Sequence, residues 1–188
     1  MSPHLIYVVG PSGAGKDSLL NWLRAHLPST DRIHWARRTI DRPAFTEGEV
    51  HESVSSEAFN HLLKTQQLAM HWSANGHQYG IRHSELSQHP HGSWIFVNGS
   101  RAYLPVASTS FPELTVLHIT AKLEVLQQRL LARGREPLEA IEQRLLRTPP
   151  LKVPVTCQFV EFLNHEPLET SGPKLQNALT ALPGWPLA

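Results

Sequence analysis

The chain predicts an α/β fold in which helices flank a mostly parallel central sheet. Three observations carry that expectation. Short apolar, β-rich runs alternate with segments of helical periodicity. The first such run passes through a glycine-rich turn straight into a helical pattern. No internal repeat or low-complexity tract interrupts the alternation. Strands separated by helices pair in parallel through crossover connections, which put the helices on the sheet faces.

Residues 5–9 (LIYVV) form a short β-branched run and read as a buried strand, followed by a turn over 10–16. Residues 17–27 set Leu19, Leu20, Leu23 and Leu27 at helical spacing, and Pro28 ends the helix. Residues 33–38 suit a second strand. Residues 42–53 are polar and contain Pro43 and Gly48, so they read as an exposed loop. Ser55 or Ser56 can cap a helix reaching about Gln66, with Phe59, Leu62 and Leu63 on one face. Residues 68–72 and 94–97 look like strands, with a turn at 88–93 (QHPHGS). Residues 114–120 are a clear strand. Residues 121–133 are a clear helix through Leu123, Leu126, Leu130 and Leu131, closed by Gly134. Residues 137–147 open with a proline suited to a first helical turn and are rich in charge. Residues 159–163 give a last strand, and 173–182 a last helix stopped by Pro183. The stretch of about 39–82 departs from the strand–helix rhythm and reads as an inserted substrate subdomain.

The length, 188 residues, suits one domain. A chain of this size buries about 70% of its unfolded surface and needs no staples. Apolar residues make up 40% and charged residues 18%, as in ordinary soluble proteins. A net charge of +1 argues against a basic nucleic-acid coat or an acidic tail. The single cysteine, Cys157, rules out an internal disulfide framework and a thiolate zinc site. The run at 5–9 falls far short of the ~18 apolar residues that span a bilayer, and no signal-peptide pattern opens the chain. The expectation is a cytoplasmic protein without nucleic-acid or membrane partners. Twelve of the 17 basic residues are arginine, a mild hint of phosphate handling.

Gly10-Pro11-Ser12-Gly13-Ala14-Gly15-Lys16 matches the G-x-x-x-x-G-K core of a P-loop. Glycines let successive backbone N–H groups turn inward as an anion cradle, and the next helix points its positive end at the phosphates. Lys16 reaches the outer phosphates as a point charge. At this composition chance supplies roughly 0.02 matches to the motif, and the strand before and helix after are both present. A nucleotide phosphate site follows.

One position departs from the motif. Asp17, followed by Ser18, stands where a magnesium-binding serine or threonine is usual. The strand at 94–97 ends in Asn98, where P-loop enzymes usually carry a metal-orienting acid, and no acid follows until Glu113. Asp17 is therefore the candidate that supplies the carboxylate Asn98 lacks. The plainer alternative is that Asp17 only complements the positive helix end.

The P-loop wording resembles that of guanylate kinase-like P-loop enzymes, and the likeness runs over nearly the full chain. Arg42-Pro43, Gly48-Glu49 and Val54-Ser55 resemble the family's acceptor segment. Tyr79-Gly80 resembles its "YG" pair, and Arg129 with Arg133-Gly134 its lid entry. Arg144 resembles a further lid arginine. Residues 159–164 resemble its final strand, whose asparagine, here Asn164, lies near the adenine. The resemblance implies a core of about 1–38, 83–131 and 149–188, an acceptor subdomain of about 39–82 and a lid of about 132–148.

Three departures separate the chain from guanylate kinases themselves. The second acceptor arginine is missing near Phe45 or Thr46. The phosphate-binding tyrosine is replaced by His51. The guanine-reading glutamate is replaced by His71. A neutral imidazole cannot accept the two hydrogen bonds a guanine edge donates, so the acceptor is not expected to be GMP. Gly-Pro-Ser-Gly-Ala-Gly-Lys-Asp-Ser, Ala36-Arg37-Arg38-Thr39 and Arg42-Pro43-Ala44 resemble instead the ribose 1,5-bisphosphate phosphokinases of bacterial phosphonate catabolism.

That resemblance implies transfer of the γ-phosphoryl of ATP, with Mg²⁺, to the 1-phosphate of ribose 1,5-bisphosphate. The product is 5-phospho-α-D-ribose 1-diphosphate. A bisphosphate acceptor wants several cations and no base-reading acid. Arg37, Arg38, Arg42 and Arg82 are the candidates, with His51, His71 and Tyr79 beside them. The lid candidates are Arg129, Arg133, Arg135 and Arg144. Residues 10–18, Arg129, Arg133 and Asn164 are the expected ATP contacts, and Lys16, Arg133 and Arg144 the expected catalytic residues. The acceptor phosphate is already ionised, so no general base is needed. Another small nucleotide or sugar-phosphate kinase is the nearest alternative. A non-catalytic binding module is a remote one, because Gly15-Lys16 and the lid arginines would have no use there.

Overall fold

The computed structural model describes residues 3–43, 51–134, 137–146 and 151–187, apart from the side chains of Arg144 and Leu146. In chain order the elements are β1 (His4–Val9), α1 (Lys16–His26), β2 (Ile33–Trp35), β3 (Arg38–Ile40), β4 (Glu52–Ser53), α2 (Ser56–Lys64), β5 (Leu68–Ala74) and β6 (His77–Arg82). There follow α3 (Ser84–Ser87), β7 (Trp94–Asn98), α4 (Leu104–Ser110), β8 (Thr115–Thr120), α5 (Leu123–Ala132), α6 (Leu138–Leu146), β9 (Gln158–Leu163) and α7 (Leu168–Thr180).

Five strands form an all-parallel sheet in the order β2-β7-β1-β8-β9. Its central strand β1 is buried from Leu5 through Val9, as a strand covered on both faces must be. Side-chain alternation sends Ile6 and Val8 to one face, where α1 and α7 cover them with Leu19, Leu23, Leu175 and Leu179. Leu5, Tyr7 and Val9 point to the other face, onto Leu104, Ala107 and Val116. The α/β class and the strands at the centre agree with the sequence reading.

A second sheet, β4-β3-β6-β5, is built from the irregular middle of the chain. β5 and β6 form an antiparallel hairpin in which Ala74 pairs with His77. Its two-residue turn, Asn75-Gly76, has φ of 50° and 76°, the pairing a twisted hairpin demands. β6 was not anticipated, although Asn75-Gly76 is its signal. The expected strand over 33–38 is split. Ala36 donates its N–H to Phe96 O at 2.9 Å, and the chain then leaves the first sheet to open the second at Arg38. The expected loop over 42–53 ends in β4, and 44–50 lie outside the described residues.

The last helix starts at Leu168, five residues before the expected start, and contains Pro173. A Cβ on Gly172 would lie 2.3 Å from the Trp22 ring. That close approach is what lets α7 dock on α1. Among the described residues no helix is long and apolar enough to cross a membrane.

Candidate phosphate-binding site

The loop between β1 and α1 lies at the carboxyl end of the parallel sheet, where the chain continues to strands on both sides of β1. Such switch points leave a crevice open to ligands. Two glycines are fixed by their surroundings. A Cβ on Gly10 would fall 1.9 Å from the Ile119 carbonyl oxygen, so the loop runs hard against β8. Gly15 precedes α1 with φ 80°, in the left-handed region, and a Cβ there would meet Asn164 Nδ2 at 2.5 Å.

Lys16 folds back over the loop. Its Nζ donates to Gly10 O at 2.9 Å and to Pro11 O at 3.1 Å. Burial pushes its ammonium down to about 8, Asp17 opposes the change, and the charges of Arg38, Arg101 and Arg133 add to it. Positive charge is thus gathered around the loop, an arrangement whose electrostatics favour an anion.

Asp17 is exposed on the first turn of α1, and its Oδ1 accepts from Asn98 Nδ2 at 2.7 Å. It thus sits against the end of β7, and its second oxygen has no partner among the described residues. No group of three or more His, Cys, Asp or Glu gathers to hold a metal among those residues. One carboxylate beside a phosphate cradle nonetheless fits Mg²⁺, which keeps waters and takes its other ligands from substrate phosphates. Asp17 and Asn98 also line a shallow cleft with Asn21, Arg24 and Trp35.

Asn164 and Arg129 brace the loop from the other side. The buried Asn164 side chain donates to Ala14 O at 2.8 Å, and Arg129 Nη1 donates to Asn164 O at 2.9 Å. Burial, then the charge of Arg133, lowers the Arg129 guanidinium. Both residues are hydrogen-bonded inside the protein, so their immediate work is holding the cradle. Ser12, Ser18 and Arg133 are exposed at the same end. Arg144 lies on α6, but its side chain, like all of Arg135, is outside the described residues.

The expected acceptor residues lie on the second sheet and beside it. Arg82 is committed to Glu52, with Nε and Nη2 each 2.7 Å from a carboxylate oxygen, and donates to Gln67 Oε1 at 3.1 Å. The guanidinium, together with the Thr39 hydroxyl, holds the Glu52 carboxyl down at about 2. Arg37 is tied to Glu85, through its backbone N–H at 2.8 Å and its Nε at 3.7 Å. Arg38 turns its guanidinium over the Tyr79 ring, 5.4 Å from the centroid, within electrostatic reach of Lys16. Tyr79 is buried and stacks on Trp72 at 5.8 Å. His71 is exposed on β5, its ring 6.2 Å from that of Tyr103. His51 and Arg42 are half-buried at the two ends of the undescribed 44–50 segment.

Two residues of this region were not anticipated. Arg101 follows β7 and is half-buried near Lys16. His118, on β8, places its Nδ1 3.2 Å from Glu161 Oε1. Burial lowers the imidazole, Glu161 opposes the change, and Arg101 and Lys16 reinforce it. A basic residue three positions beyond a buried strand, at the ligand end of a parallel sheet, was the available signal for Arg101.

No protein-family model matches the chain. The "Ribose 1,5-bisphosphate phosphokinase PhnN" of Janthinobacterium sp. (strain Marseille) is 39% identical over 178 residues, covering 95% of this chain and 39% of that protein. The chain therefore spans well under half the length of that relative. The protein of the same name from Thiobacillus denitrificans is 36% identical over 176 residues, covering 94% of this chain and 92% of the relative. Among solved structures, guanylate kinase from Anaplasma phagocytophilum superposes with a TM-score of 0.68 at 17% identity, over 96% of this chain and 86% of that one. That likeness concerns the fold.

Proposed function

Because the chain belongs to the ribose 1,5-bisphosphate phosphokinase family, we propose that it phosphorylates ribose 1,5-bisphosphate with ATP. The products are 5-phospho-α-D-ribose 1-diphosphate and ADP, and the setting is cytoplasmic phosphonate catabolism. The observation that carries the reading is that the loop holds Lys16 within electrostatic reach of Arg38, which the second sheet supplies. Two cations from two sheets converge where a donor and an acceptor phosphate would have to approach each other.

An oxygen of the sugar 1-phosphate attacks the γ-phosphorus as the bond from that phosphorus to the β,γ-bridging oxygen breaks. The nucleophile is already anionic, so no proton is removed. The barrier lies in bringing two polyanions together, and the remedy is positioning plus charge neutralisation. Backbone N–H groups of residues 12–16 cradle the β- and γ-phosphates, and Lys16 leaves its loop carbonyls to meet them. Mg²⁺, held by Asp17 with Asn98 orienting that carboxylate, would neutralise charge on the phosphate oxygens. Arg133 and Arg144 close over the transferring group from the lid of about 132–148, excluding water that would otherwise hydrolyse ATP. Arg38, Arg42, His51 and His71 serve the acceptor from the subdomain of about 39–82, with Tyr79 supporting Arg38. In this reading Arg37 and Arg82 shape that subdomain through Glu85 and Glu52.

The test is phosphotransfer from Mg²⁺-ATP with ribose 1,5-bisphosphate and GMP in parallel, followed by phosphorus NMR. A new diphosphate signal from the sugar with GMP inert is expected. GDP formation without a sugar product would overturn the reading and make the chain a divergent guanylate kinase.

A further inference from the structure

We propose that Arg101 binds the acceptor phosphate directly, from a rigid turn between the phosphate loop and the second sheet. The proposal rests on the phosphotransferase reading above and adds to it a residue outside the motifs that led there.

The turn after β7 is unusually well fixed. Gly99 donates its N–H to Val8 O at 2.9 Å. The fully buried Tyr7 hydroxyl accepts from Ser100 N at 3.0 Å and donates to Ser100 O at 3.1 Å. A Cβ on Gly99 would lie 2.1 Å from the Tyr7 ring, so the turn is pressed onto β1 beside the loop. Arg101 O then accepts from Leu104 N at 3.3 Å, at the entry to α4. The backbone that carries the guanidinium is therefore held by the core of the sheet.

The guanidinium itself has nothing to hold. Arg101 is half-buried, and its side chain makes no hydrogen bond and no ion pair among the described residues. Its surroundings are cationic, because its charge acts on Lys16 and on His118. Burial lowers its own affinity for the proton. A desolvated cation next to other cations is costly unless an anion arrives. Arg37 and Arg82 have carboxylate partners within the protein; among the described residues Arg101 has none.

Its neighbours say which phosphate it serves. Tyr103, two residues on, packs its ring 5.8 Å from Trp72 and 6.2 Å from His71, both on β5 of the second sheet. The segment thus leans toward the acceptor subdomain. The nucleotide side is braced separately, by Asn164 and Arg129 from β9 and α5.

The experiment is steady-state kinetics of wild type, Arg101→Gln and Arg101→Lys with ATP and ribose 1,5-bisphosphate varied in turn, beside thermal melts. For Arg101→Gln, kcat/KM for the sugar should fall about 100-fold, as for a buried charge pair broken on one side. KM for ATP and the melting temperature should stay near wild type. Arg101→Lys should recover about tenfold of that loss, keeping the charge but not the fork. A sugar kcat/KM within threefold of wild type in Arg101→Gln overturns the proposal. So does a loss confined to KM for ATP, which would put Arg101 on the donor. If Arg101→Gln does not fold, Arg101→Lys decides: an unchanged sugar KM overturns the proposal and a raised one supports it. A wild type inactive on the sugar overturns the functional reading and this inference together. A wild type active on it with Arg101→Gln unaffected overturns only the inference.

Discussion

Raising the pH from 7 to 9 should cost about tenfold in kcat/KM for ATP, because Lys16 loses its proton in the free protein. Burial pushes the Lys16 ammonium down to about 8, against the pull of Asp17. At that value about 90% of the lysine is charged at pH 7 and about 10% at pH 9. The profile of kcat/KM reports the free enzyme, so it should bend near 8, whereas kcat should stay flatter because bound phosphates restore the charge. The stability of the ligand-free protein should move the other way. A lysine whose folded value lies below its unfolded value carries a penalty below pH 8, and the penalty shrinks as the pH rises from 8 toward 10.5. Between pH 8 and 9.5 the gain is of order 1 kcal/mol. Tyr7, whose buried hydroxyl is held well above its usual range, opposes this only above pH 10. The assays are initial rates across pH with saturating sugar and urea unfolding over the same range. A kcat/KM for ATP that stays flat to pH 9.5 would mean that Lys16 keeps its proton throughout, and the electrostatic account of the site would fall.

Three further outcomes follow from particular contacts. Asn164→Ala removes the donor to the buried Ala14 carbonyl and should cost about 1–3 kcal/mol in urea unfolding, together with weaker ATP binding; unchanged ATP affinity would show that the loop holds its shape unaided. Glu52→Gln breaks the fork to Arg82 and should cost about 1 kcal/mol at pH 7, a partly exposed pair being screened by solvent. With Glu52 held down at about 2, its contribution is complete above pH 4.5 and lost as the pH falls through 2, so the variant should match wild type in acid. Asp17→Ser should raise the Mg²⁺ concentration needed for half-maximal activity several-fold; the same magnesium curve in both proteins would leave Asp17 as a helix-end charge only.

What the sequence made legible was local. The phosphate loop was readable because its cause, a strand running through glycines into a helix, occupies adjacent residues. The replacement of a motif serine by Asp17 was readable too, and it led to Asn98, which lies 81 residues away and 2.7 Å distant. Two departures from one pattern thus pointed at residues that share a hydrogen bond. The arginines offered no such pair of clues. Arg82 meets Glu52 across 30 residues, and the Arg37 N–H meets Glu85 across 48, through pairings of the second sheet that periodicity does not encode. The unforeseen β6 hairpin decides both outcomes. It places Arg82 at the end of a strand antiparallel to β3, whose Thr39 hydroxyl also bonds Glu52 at 2.7 Å, and it leads directly into α3, where Glu85 sits. Missing the hairpin therefore hid the carboxylates that hold these two arginines within the protein. Arg101 escaped notice for the converse reason. Its place beyond a buried strand was its one mark in the sequence, and its lack of a side-chain partner among the described residues is visible only in the turn that Tyr7 fixes. Charge counting along a sequence thus gathers candidate cations, but only tertiary pairing shows which of them are already held by carboxylates within the protein.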